Sequence, residues 1–474
     1  MSKPFPADEP FLNGYYAPLQ MECDAAHLPI SGSLPSELSG WLYRNGPNPQ
    51  FAPRGPYHWF AGDGMLHAFH IEAGNVAYRN RWVRTPKWQL EYAECEGLSG
   101  AFGNPRFSDP RIVKLNSSAA NTNVVWHGGK LMALEEQHAP FEVDPVTLEP
   151  KGSVDFSGKL VGPVTAHPKI DPQTGEMVFF GYAAKGRFTP DVMLHVAGAD
   201  GALQSSQHLL APYSSMVHDF VVTRDWIVLP IFPLSGSMER AMKGAPPYAW
   251  EPDKGTHVAL VPRRGSVSDA RWFSGDPCYV FHPMNAYDTP DGKVVCDMMK
   301  YPVAPLFPGP DGKRTGPEQP LARLVRWTFD PTSNNGSFSE RALDDTPAEF
   351  PRLDERFAGL PYRHGYFQAG AVTDASESRT ARSGLAHIDH QTGHVDLWRP
   401  GAEDHCGEPI FVPRKADADE GDGFLLSVIY RAESKCSDLA VFDARNVSAG
   451  PLALAHLSHR VPAGFHGNWR AGRE

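Results

Sequence analysis

Short runs of β-branched and aromatic residues recur along the whole chain, separated by turn-forming sequences. The clearest runs are residues 179–182, 220–228, 258–261, 324–329, 424–430 and 439–442. The turn sequences between such runs combine Asp with Pro, Thr or Gly, at residues 144–147, 171–175, 291–292, 330–333 and 389–393. Asp accepts hydrogen bonds from nearby backbone and Gly adopts positive φ, so these sequences predict hairpins between antiparallel strands.

A chain of 474 residues built from such hairpins is expected to be all-β. Four-stranded blades of about 40–50 residues each would use the whole length as a β-propeller, whereas a β-sandwich would use only part of it. Only residues 238–243 suggest a helix, a short one ended by Pro246 and Pro247. Since no linker is evident, we predict a single domain over residues 1–474.

Charge and cysteine content narrow the class of protein. The net charge of −11 offers no basic face for phosphates, so we expect no nucleic-acid partner. The six cysteines contain no CxxC pair and make a poor disulfide framework in so long a chain, which favours a reducing compartment. The first residues lack an apolar signal region and no stretch is long enough to span a membrane, so we expect a cytoplasmic protein.

Four of the twenty histidines stand in apolar or Gly/Pro-rich sequence: His167, His218, His282 and His466. Their separations of 51, 64 and 184 residues are too long for a zinc finger or a single-helix site. One ligand from each of several blades would fit these separations. The spacing by itself nevertheless favours four separate core histidines, because convergence over such distances cannot be read from one sequence.

If the four imidazoles do converge, they would form a metal centre of distinctive chemistry. Neutral imidazoles do not reduce the positive charge of the metal ion. Four of them on an octahedral ion would leave two coordination positions vacant. Imidazole suits Fe(II), Zn(II), Cu(II) and Ni(II), so the ligands do not choose the metal. Each ring would also need an acceptor for its second N–H. Candidates in apolar strand contexts are Glu136, Glu349 and Glu408, for which a surface position is the ordinary alternative.

Several motifs in a fixed order resemble the carotenoid cleavage oxygenase family. They are YRNGPNPQF at 43–51, WFAGDGM at 59–65, NTNV at 121–124, LMALEE at 131–136, the four histidine contexts, EFPR at 349–352 and EP at 408–409. Each is a weak pattern alone, but together they run nearly end to end. The resemblance therefore favours the convergent interpretation of the histidines.

The resemblance implies a seven-bladed β-propeller with loops capping a metal-bearing axis. It implies Fe(II) held by His167, His218, His282 and His466. It further implies that Glu136 pairs with His218, Glu349 with His282 and Glu408 with His466. Members of the family use O2 as co-substrate to cleave an alkene into two carbonyl products. No protein nucleophile is needed, and we assign no catalytic residue beyond the iron site.

Within the family, PYRHGY at 361–366 and HGNW at 466–469 are similar to the bacterial lignostilbene dioxygenase branch. That branch grips a 4-hydroxystilbene with a Tyr and a Lys, where this chain has Phe102 and Glu135. A lysine favours phenolate, whereas the Glu135 carboxylate would oppose ionisation and could accept a hydrogen bond from a neutral hydroxyl or pair with a cation. Phe60 matches the aromatic residue expected to pack on the substrate ring, with an ordinary core position as the alternative.

Three functions follow as expectations. The first is cleavage of a stilbenoid or lignin-derived aromatic alkene, with a small-molecule partner and no membrane. The second is cleavage of a carotenoid or apocarotenoid, which would need an apolar tunnel and a membrane-facing patch, to which residues 231–234 and 245–250 could contribute. The third is a non-catalytic propeller that binds partners. A homodimer is compatible with all three.

Overall fold

The computed structural model describes residues 3–100, 102, 105–113, 115–316, 320–370 and 382–472. The chain forms two compact units, one from residues 1–159 and 398–474 and the other from residues 160–397. Whether residues 1–474 act as one domain stays a prediction. No disulfide joins the six cysteines, all of which lie in the described ranges. No helix in these ranges is long and apolar enough to cross a membrane.

The first unit begins with short strands and two helices. These are β1 (Cys23–Ala25), β2 (Ile30–Gly32), β3 (Gly40–Pro47), β4 (Gly64–Glu72), β5 (Asn75–Trp82), α1 (Pro86–Glu94), α2 (Pro110–Val113), β6 (Asn123–His127), β7 (Lys130–Leu134), β8 (Phe141–Val143) and β9 (Pro150–Ser153).

The second unit is built almost wholly of strands. Its elements, with the single helix α3 among the strands in the described residues, are β10 (Lys169–Ile170), β11 (Met177–Tyr182), β12 (Asp191–Ala197), β13 (Leu203–Leu210), β14 (Val221–Val222), β15 (Trp226–Ile231), β16 (Leu234–Gly236), α3 (Met238–Met242), β17 (Tyr248–Trp250), β18 (Thr256–Pro262), β19 (Arg271–Gly275), β20 (Tyr279–Asp288), β21 (Val294–Tyr301), β22 (Arg323–Phe329), β23 (Ser339–Ala342), β24 (Ala348–Leu353), β25 (His364–Gly370), β26 (Arg382–Asp389) and β27 (His394–Trp398).

The chain then completes the first unit. The last strands are β28 (His405–Cys406), β29 (Ile410–Pro413), β30 (Gly423–Arg431), β31 (Cys436–Asp443), β32 (Ala453–His456) and β33 (Gly467–Ala471). Short 3-10 helices occur in the described chain at Pro10–Leu12, Gly14–Tyr16, Trp59–Ala61, Pro105–Phe107, Pro252–Lys254, Val267–Asp269, Glu355–Phe357 and Val447–Ala449.

Each unit is a set of blade-sized antiparallel sheets. In the first unit the strand orders are β6-β7-β8-β9, β1-β5-β4-β3-β33, and β2-β32-β31-β30-β28 with β29 also pairing β30. In the second unit four sheets have four strands each, β10-β11-β12-β13, β14-β15-β18-β19, β20-β21-β22-β23 and β24-β25-β26-β27, beside the hairpin β16-β17. The described residues thus form seven blade-like sheets, three in the first unit and four in the second.

The turn chemistry predicted from the sequence is present in the hairpins. Asp144 Oδ1 accepts hydrogen bonds from the backbone N–H groups of Val146 and Thr147, each at 2.9 Å. Asp171 repeats the arrangement with the two residues that lie two and three positions on, at 2.8 and 3.0 Å. These side chains bond backbone N–H groups that lack a strand partner at the turn, which is why Asp suits these hairpins.

The predicted run at 220–228 is two strands rather than one. Thr223 Oγ1 accepts hydrogen bonds from the N–H groups of Asp225 and Trp226, at 3.2 and 2.9 Å. This polar turn separates β14 from β15, which then pair with each other. The single-strand interpretation was wrong because apolar residues on both sides of a tight turn resemble one continuous run. The short helix expected at 238–243 is α3, at Met238–Met242.

Helix α1 was not anticipated, and its buried face is charged. Lys87 and Glu91 lie one turn apart with side chains 5% and 3% exposed, and their charged atoms are 3.2 Å apart. Lys87 Nζ also bonds Asp63 Oδ1 of the WFAGDGM motif. Burial alone would lower the pKa of Lys87, but Asp63 and Glu91 raise it above its usual value, so the lysine is charged. Asp63, in the WFAGDGM motif, therefore stabilises the packing of α1 through its ion pair with Lys87.

Replacing Lys87 with Met is expected to lower the free energy of unfolding by about 3–5 kcal/mol, because two buried carboxylates would lose their cation. Chemical denaturation monitored by tryptophan fluorescence measures the change. A matched control is Lys243→Met, which removes a lysine from an exposed pair with Glu239 at the same i,i+4 spacing. That change should cost no more than about 0.5 kcal/mol. Equal effects of the two substitutions would contradict the assignment of a structural role to the buried triad.

Candidate metal centre

Three of the four candidate histidines lie at the first strand of a sheet in the second unit. His167 precedes β10 by two residues, His218 precedes β14 by three, and His282 lies within β20. His167 and His282 are each followed by Pro, which holds the preceding residue extended and removes a backbone donor. In β20 the pairing register with β21 shifts at Pro283, so the ladder is interrupted beside His282. The local sequence thus releases these side chains from regular pairing.

The imidazole rings of these three residues meet through their Nε2 atoms. His218 Nε2 lies 3.1 Å from His167 Nε2 and 3.1 Å from His282 Nε2. With His466 they form a buried group whose ligand atoms all lie within 4.8 Å of one another. The structure therefore brings together all four histidines singled out from the sequence.

His282 is oriented by a carboxylate on the neighbouring sheet of its unit. Its Nδ1 lies 2.6 Å from Glu349 Oε2, and Glu349 is 4% exposed. The N–H of Phe350 donates to the same oxygen at 2.6 Å, and the Phe350 ring stacks on His282 at 5.2 Å. The expected pairing of Glu349 with His282 is thus present in the geometry.

His466 has the corresponding arrangement within the first unit. Its Nδ1 lies 2.9 Å from Glu408 Oε1, and the Gly467 N–H donates to Glu408 Oε2 at 2.9 Å. Glycine is required here because a Cβ on residue 467 would lie 2.5 Å from the Tyr43 carbonyl oxygen. The absence of a Cβ lets the first residue of β33 pack closely against β3, with His466 directly before it. The pairing of Glu408 with His466 that the family resemblance implies is thus present in the geometry.

The hydrogen bonds at Nδ1 determine what the Nε2 atoms can do. A histidine that donates its Nδ1–H to a carboxylate presents a lone pair at Nε2, as His282 and His466 do here. One proton on His218 Nε2 could satisfy only one of its two contacts at 3.1 Å. A cation would accept lone pairs from all four rings. For metal–nitrogen bonds of about 2.1 Å, ligands at right angles lie about 3.0 Å apart, which matches the observed separations and fits a bound transition metal.

The remaining predicted acceptor, Glu136, lies two residues after β7 in the first unit and is 8% exposed. Its pairing with His218 stays a prediction. Sequence reasoning did not single out Asp219, whose Oδ2 lies 3.8 Å from His167 Nδ1. Asp219 Oδ1 is held by Lys169 Nζ at 2.7 Å. Its position next to a ligand histidine was the signal available, but adjacency in sequence does not tell which ring a carboxylate faces.

The predicted substrate residues Phe60 and Phe102 belong to an aromatic cluster in the first unit. Their rings meet edge to face with centroids 5.7 Å apart. The Phe465 ring, adjacent in sequence to His466, lies edge to face with Phe60 at 5.5 Å. The Phe60 ring therefore contacts the residue that precedes a candidate metal ligand in the chain. The three rings form an apolar wall in the first unit.

A histidine that the sequence did not single out completes this wall. His58 stacks on Phe102 with ring centroids 4.9 Å apart. Its Nδ1 accepts a hydrogen bond from the Phe60 N–H at 3.2 Å, which places the ring proton on Nε2. Burial lowers the pKa of His58 to about 4, so the ring is neutral at pH 7. It thus serves as a neutral aromatic surface rather than a cation.

The third predicted substrate residue, Glu135, directly follows β7 and bonds a residue that the sequence reasoning passed over. Glu135 Oε1 contacts His138 Nδ1, and His138 Nε2 lies 3.3 Å from Ser117 Oγ. The expected lysine is thus replaced by a carboxylate already paired with an imidazole. The i,i+3 spacing of Glu135 and His138 was visible in the sequence, but outside a helix it predicts no contact.

Comparison with known proteins places this site in a family. The family model described as "Retinal pigment epithelial membrane protein" matches residues 16–471. The chain is 37% identical over 475 residues to isoeugenol monooxygenase from Pseudomonas putida, covering 98% of this chain and 99% of that protein. It is 37% identical over 487 residues to resveratrol cleavage oxygenase 1 from Aspergillus fumigatus, covering 98% and 96%. The crystal structure of a Pseudomonas brassicacearum lignostilbene dioxygenase matches with a TM-score of 0.95 at 37% identity, covering 99% and 100%.

The likeness to that crystal structure confirms the predicted class, an all-β, seven-bladed β-propeller with a four-histidine group that could bind a metal. The chain belongs to the carotenoid cleavage oxygenase family, to which the matching family model corresponds.

The structure covers most of the segments that could contribute to the membrane-facing patch of the carotenoid alternative, residues 231–234 and 245–250. Residues 245–247 are half-buried, whereas residues 231–234 and 248–250 are buried in the second unit. They form the ends of β15, β16 and β17, whose hairpin pairs Leu234 with Trp250. Strand pairing thus covers apolar side chains that the carotenoid alternative would need at the surface.

Proposed function

We propose that this protein is a non-haem Fe(II) dioxygenase that cleaves the C=C bond of a stilbenoid or lignin-derived aromatic alkene with O2, giving two carbonyl products. The observation that carries the proposal is the convergence of His167, His218, His282 and His466, with two of their rings oriented by buried glutamates. The names of the relatives, isoeugenol monooxygenase, resveratrol cleavage oxygenase and lignostilbene dioxygenase, support an aromatic alkene as substrate.

The choice of metal rests on the family rather than on the ligands. Imidazole suits several divalent metals, and four neutral ligands leave the ion's charge unreduced. The family uses iron, which supports Fe(II). Bound Fe(II) would supply the activation of O2 beside the alkene. Glu349 and Glu408 hold the rings of His282 and His466 in the tautomer that presents Nε2, and we propose the same role for Glu136 toward His218.

The protein's other task is to bind and orient the alkene in a site shielded from water. Phe60 and Phe102, backed by the neutral ring of His58, offer an aromatic surface on which an aryl group can pack edge to face or offset. The overall reaction balances without a further reductant, because one oxygen atom of O2 ends on each former alkene carbon. No protein nucleophile is required, and we assign none.

The two alternatives have less support. A carotenoid or apocarotenoid substrate would explain the absence of the Tyr and Lys pair, but most of the residues that could contribute to its membrane-facing patch, 231–234 and 248–250, are buried. A non-catalytic propeller would have no use for four buried imidazoles facing one point, because polar groups in the interior cost free energy unless they are paired.

The proposal is tested by O2 uptake of Fe(II)-reconstituted protein with hydroxylated stilbenes, isoeugenol and apocarotenals, with products identified by mass spectrometry. We expect uptake with an aryl alkene and equimolar formation of two carbonyl products. Uptake confined to apocarotenals would move the substrate to the carotenoid class. Intact alkenes of every class with iron-loaded protein would overturn the proposal.

A further inference from the structure

We propose that the first unit carries a second catalytic centre, a serine–histidine–aspartate triad of Ser31, His456 and Asp438 that hydrolyses small carboxylic esters. The three residues lie on adjacent strands of one sheet, β2, β32 and β31. They are separate from the four-histidine group and from the glutamates that orient it. The inference therefore goes beyond the proposed function and is tested independently of it.

The hydrogen bonds of the triad follow the order that nucleophilic catalysis needs. Ser31 Oγ lies 2.8 Å from His456 Nε2, and His456 Nδ1 lies 2.7 Å from Asp438 Oδ1. With its Nδ1–H donated to the carboxylate, the imidazole presents a lone pair at Nε2, which accepts the serine hydroxyl proton. A hydroxyl bonded to a base that a third group orients is an activated nucleophile.

Strand register places the triad on one face of the sheet. Asp438 is paired directly with His456. Ser31 is paired with Leu454, two residues before His456. Directly opposite residues share a face, as do diagonal neighbours two residues along the partner strand. Backbone pairing across three strands thus holds the hydroxyl, the base and the carboxylate together.

The aspartate is buried and is held through its other oxygen. Asp438 is 6% exposed, and Arg431 Nε donates to its Oδ2 at 2.7 Å. Arg431 Nη1 also pairs with Asp404 Oδ2 at 3.0 Å, so two carboxylates share one guanidinium. A net negative charge therefore remains beside His456 to stabilise an imidazolium. Because Ser31 is exposed, an ester can reach its hydroxyl from solvent.

The edge of the sheet supplies a donor for the oxyanion. In the described residues β2 is the outermost strand of its sheet. The Ser33 N–H bonds the Leu452 carbonyl oxygen across β32 at 2.9 Å, and such narrow pairs recur at every second residue, so the Ser31 carbonyl also points toward β32. The N–H of a trans peptide points away from its carbonyl, which directs the Gly32 N–H to the open edge. This donor follows the nucleophile directly and can bond the oxyanion.

The reaction is acyl transfer in two balanced steps. Ser31 Oγ forms a bond to the ester carbonyl carbon while its proton passes to His456 Nε2. The bond from that carbon to the alcohol oxygen then breaks, and the imidazolium returns the proton to the departing alcohol. Water, activated by the same imidazole, hydrolyses the acyl-serine and releases a carboxylic acid. The step needs no oxidant or reductant.

The surroundings of Ser31 favour small esters with an apolar group. Leu454 lies opposite Ser31 and is half-buried, and Leu452, two residues earlier on the same face, is 39% exposed. These side chains offer apolar contact to an acyl or aryl group. An exposed nucleophile at a sheet edge provides less binding than an enclosed cleft. We therefore expect turnover of esters with good leaving groups.

Hydrolysis of p-nitrophenyl acetate by metal-free protein tests the inference, because this activity does not depend on iron. We expect an acetyl group on Ser31 in peptide mass spectra after acid quenching, and covalent labelling of Ser31 by a fluorophosphonate probe. Ser31→Ala should lower kcat/KM for the ester by about 100-fold, a typical contribution of an activated nucleophile and its base.

Ser274 provides a matched control in the other unit. It is exposed like Ser31, and its Oγ lies 3.2 Å from His257 Nδ1. The other ring nitrogen of His257 faces the Lys254 carbonyl oxygen at 3.1 Å instead of a carboxylate. Ser274→Ala should leave ester turnover unchanged, and the probe should not label Ser274.

Asp438 is tested as a positioning residue. Asp438→Asn should lower kcat for the ester by about 100-fold and leave KM within about 2-fold, because an amide favours the wrong imidazole tautomer. Asp438→Glu, which restores the carboxylate, should recover part of the loss. A wild-type rate of probe labelling in Asp438→Asn would overturn the triad.

Three results with the wild-type chain and Ser31→Ala would also overturn the inference. These are ester hydrolysis undiminished in Ser31→Ala, acetyl groups confined to other side chains, and equal probe labelling of Ser31 and Ser274. Each would leave alkene cleavage by the iron-loaded protein unaffected. Conversely, a protein that cleaves no alkene but is acetylated at Ser31 would support the inference while the proposed function fails.

Discussion

His218→Ala is expected to abolish alkene cleavage, because His218 is the ring whose Nε2 lies 3.1 Å from two other ligand candidates. The remaining three imidazoles would hold Fe(II) with an affinity lowered by more than about 100-fold, beyond the loss caused by removing a residue that only orients a ligand. The measurement is iron content per chain after anaerobic reconstitution and desalting, together with O2 uptake. We expect less than one tenth of the wild-type iron to be retained.

The control for this substitution is His257→Ala. His257 is half-buried, and its ring bonds the Lys254 carbonyl oxygen and Ser274 Oγ, so its removal tests the general effect of losing a histidine in the same unit. That variant should bind iron and turn over as the wild type does. Full iron content and unchanged activity in His218→Ala, with a normal circular dichroism spectrum, would exclude His218 as a ligand.

Glu408→Gln has the second-largest expected effect. The carboxylate uses its two oxygens separately, accepting from His466 Nδ1 at Oε1 and from the Gly467 N–H at Oε2. An amide offers only one acceptor, so either His466 or Gly467 would face an NH2 group. We expect iron affinity to fall by about 10- to 100-fold, the usual cost of losing a group that orients a metal-bound histidine. Competition with a chelator of known affinity measures the change.

Glu403→Gln provides the comparison, since Glu403 is exposed in the same part of the chain. Its iron affinity should match that of the wild type. An unchanged affinity in Glu408→Gln would show that the hydrogen bond to His466 contributes nothing to metal binding. A variant that binds iron normally but loses activity would instead indicate a role for Glu408 in substrate turnover.

Much of the fold could be predicted because its signals are local. Runs such as 258–261 and 439–442 lie inside β18 and β31, and the Asp-containing turns make the backbone hydrogen bonds that their side chains favour. Helix α1 escaped prediction for a physical reason. Its buried residues are Lys87, Trp88 and Glu91, while Tyr92 is 61% exposed, so charged side chains interrupt the usual apolar stripe. The stabilising partner, Asp63, is 24 residues away and cannot be inferred from helical periodicity.

The candidate site shows what local sequence patterns cannot predict. That each of the four histidines stood in an apolar context was visible, but their meeting depends on which strand of each sheet carries them. Only the resemblance to a family linked the residues before the structure did. The pairing of Glu135 with His138 depends on a loop conformation after β7, and nothing in the local pattern distinguishes it from two solvated side chains. The substrate-facing residues are for this reason the least predictable part of the site.

The pairing of β3 with β33 has a consequence for how the protein is made. Tyr43 lies opposite Asn468, so the two strands are about 425 residues apart in the chain. At a translation rate of roughly 5–20 residues per second, β3 waits some 20–85 s on the ribosome with one edge uncovered. An uncovered edge invites pairing with other nascent chains. His466 immediately precedes β33, so the pairing that ends this exposure also brings in the fourth imidazole. Protection of the β3 edge from aggregation therefore coincides with completion of the four-histidine group that could bind a metal.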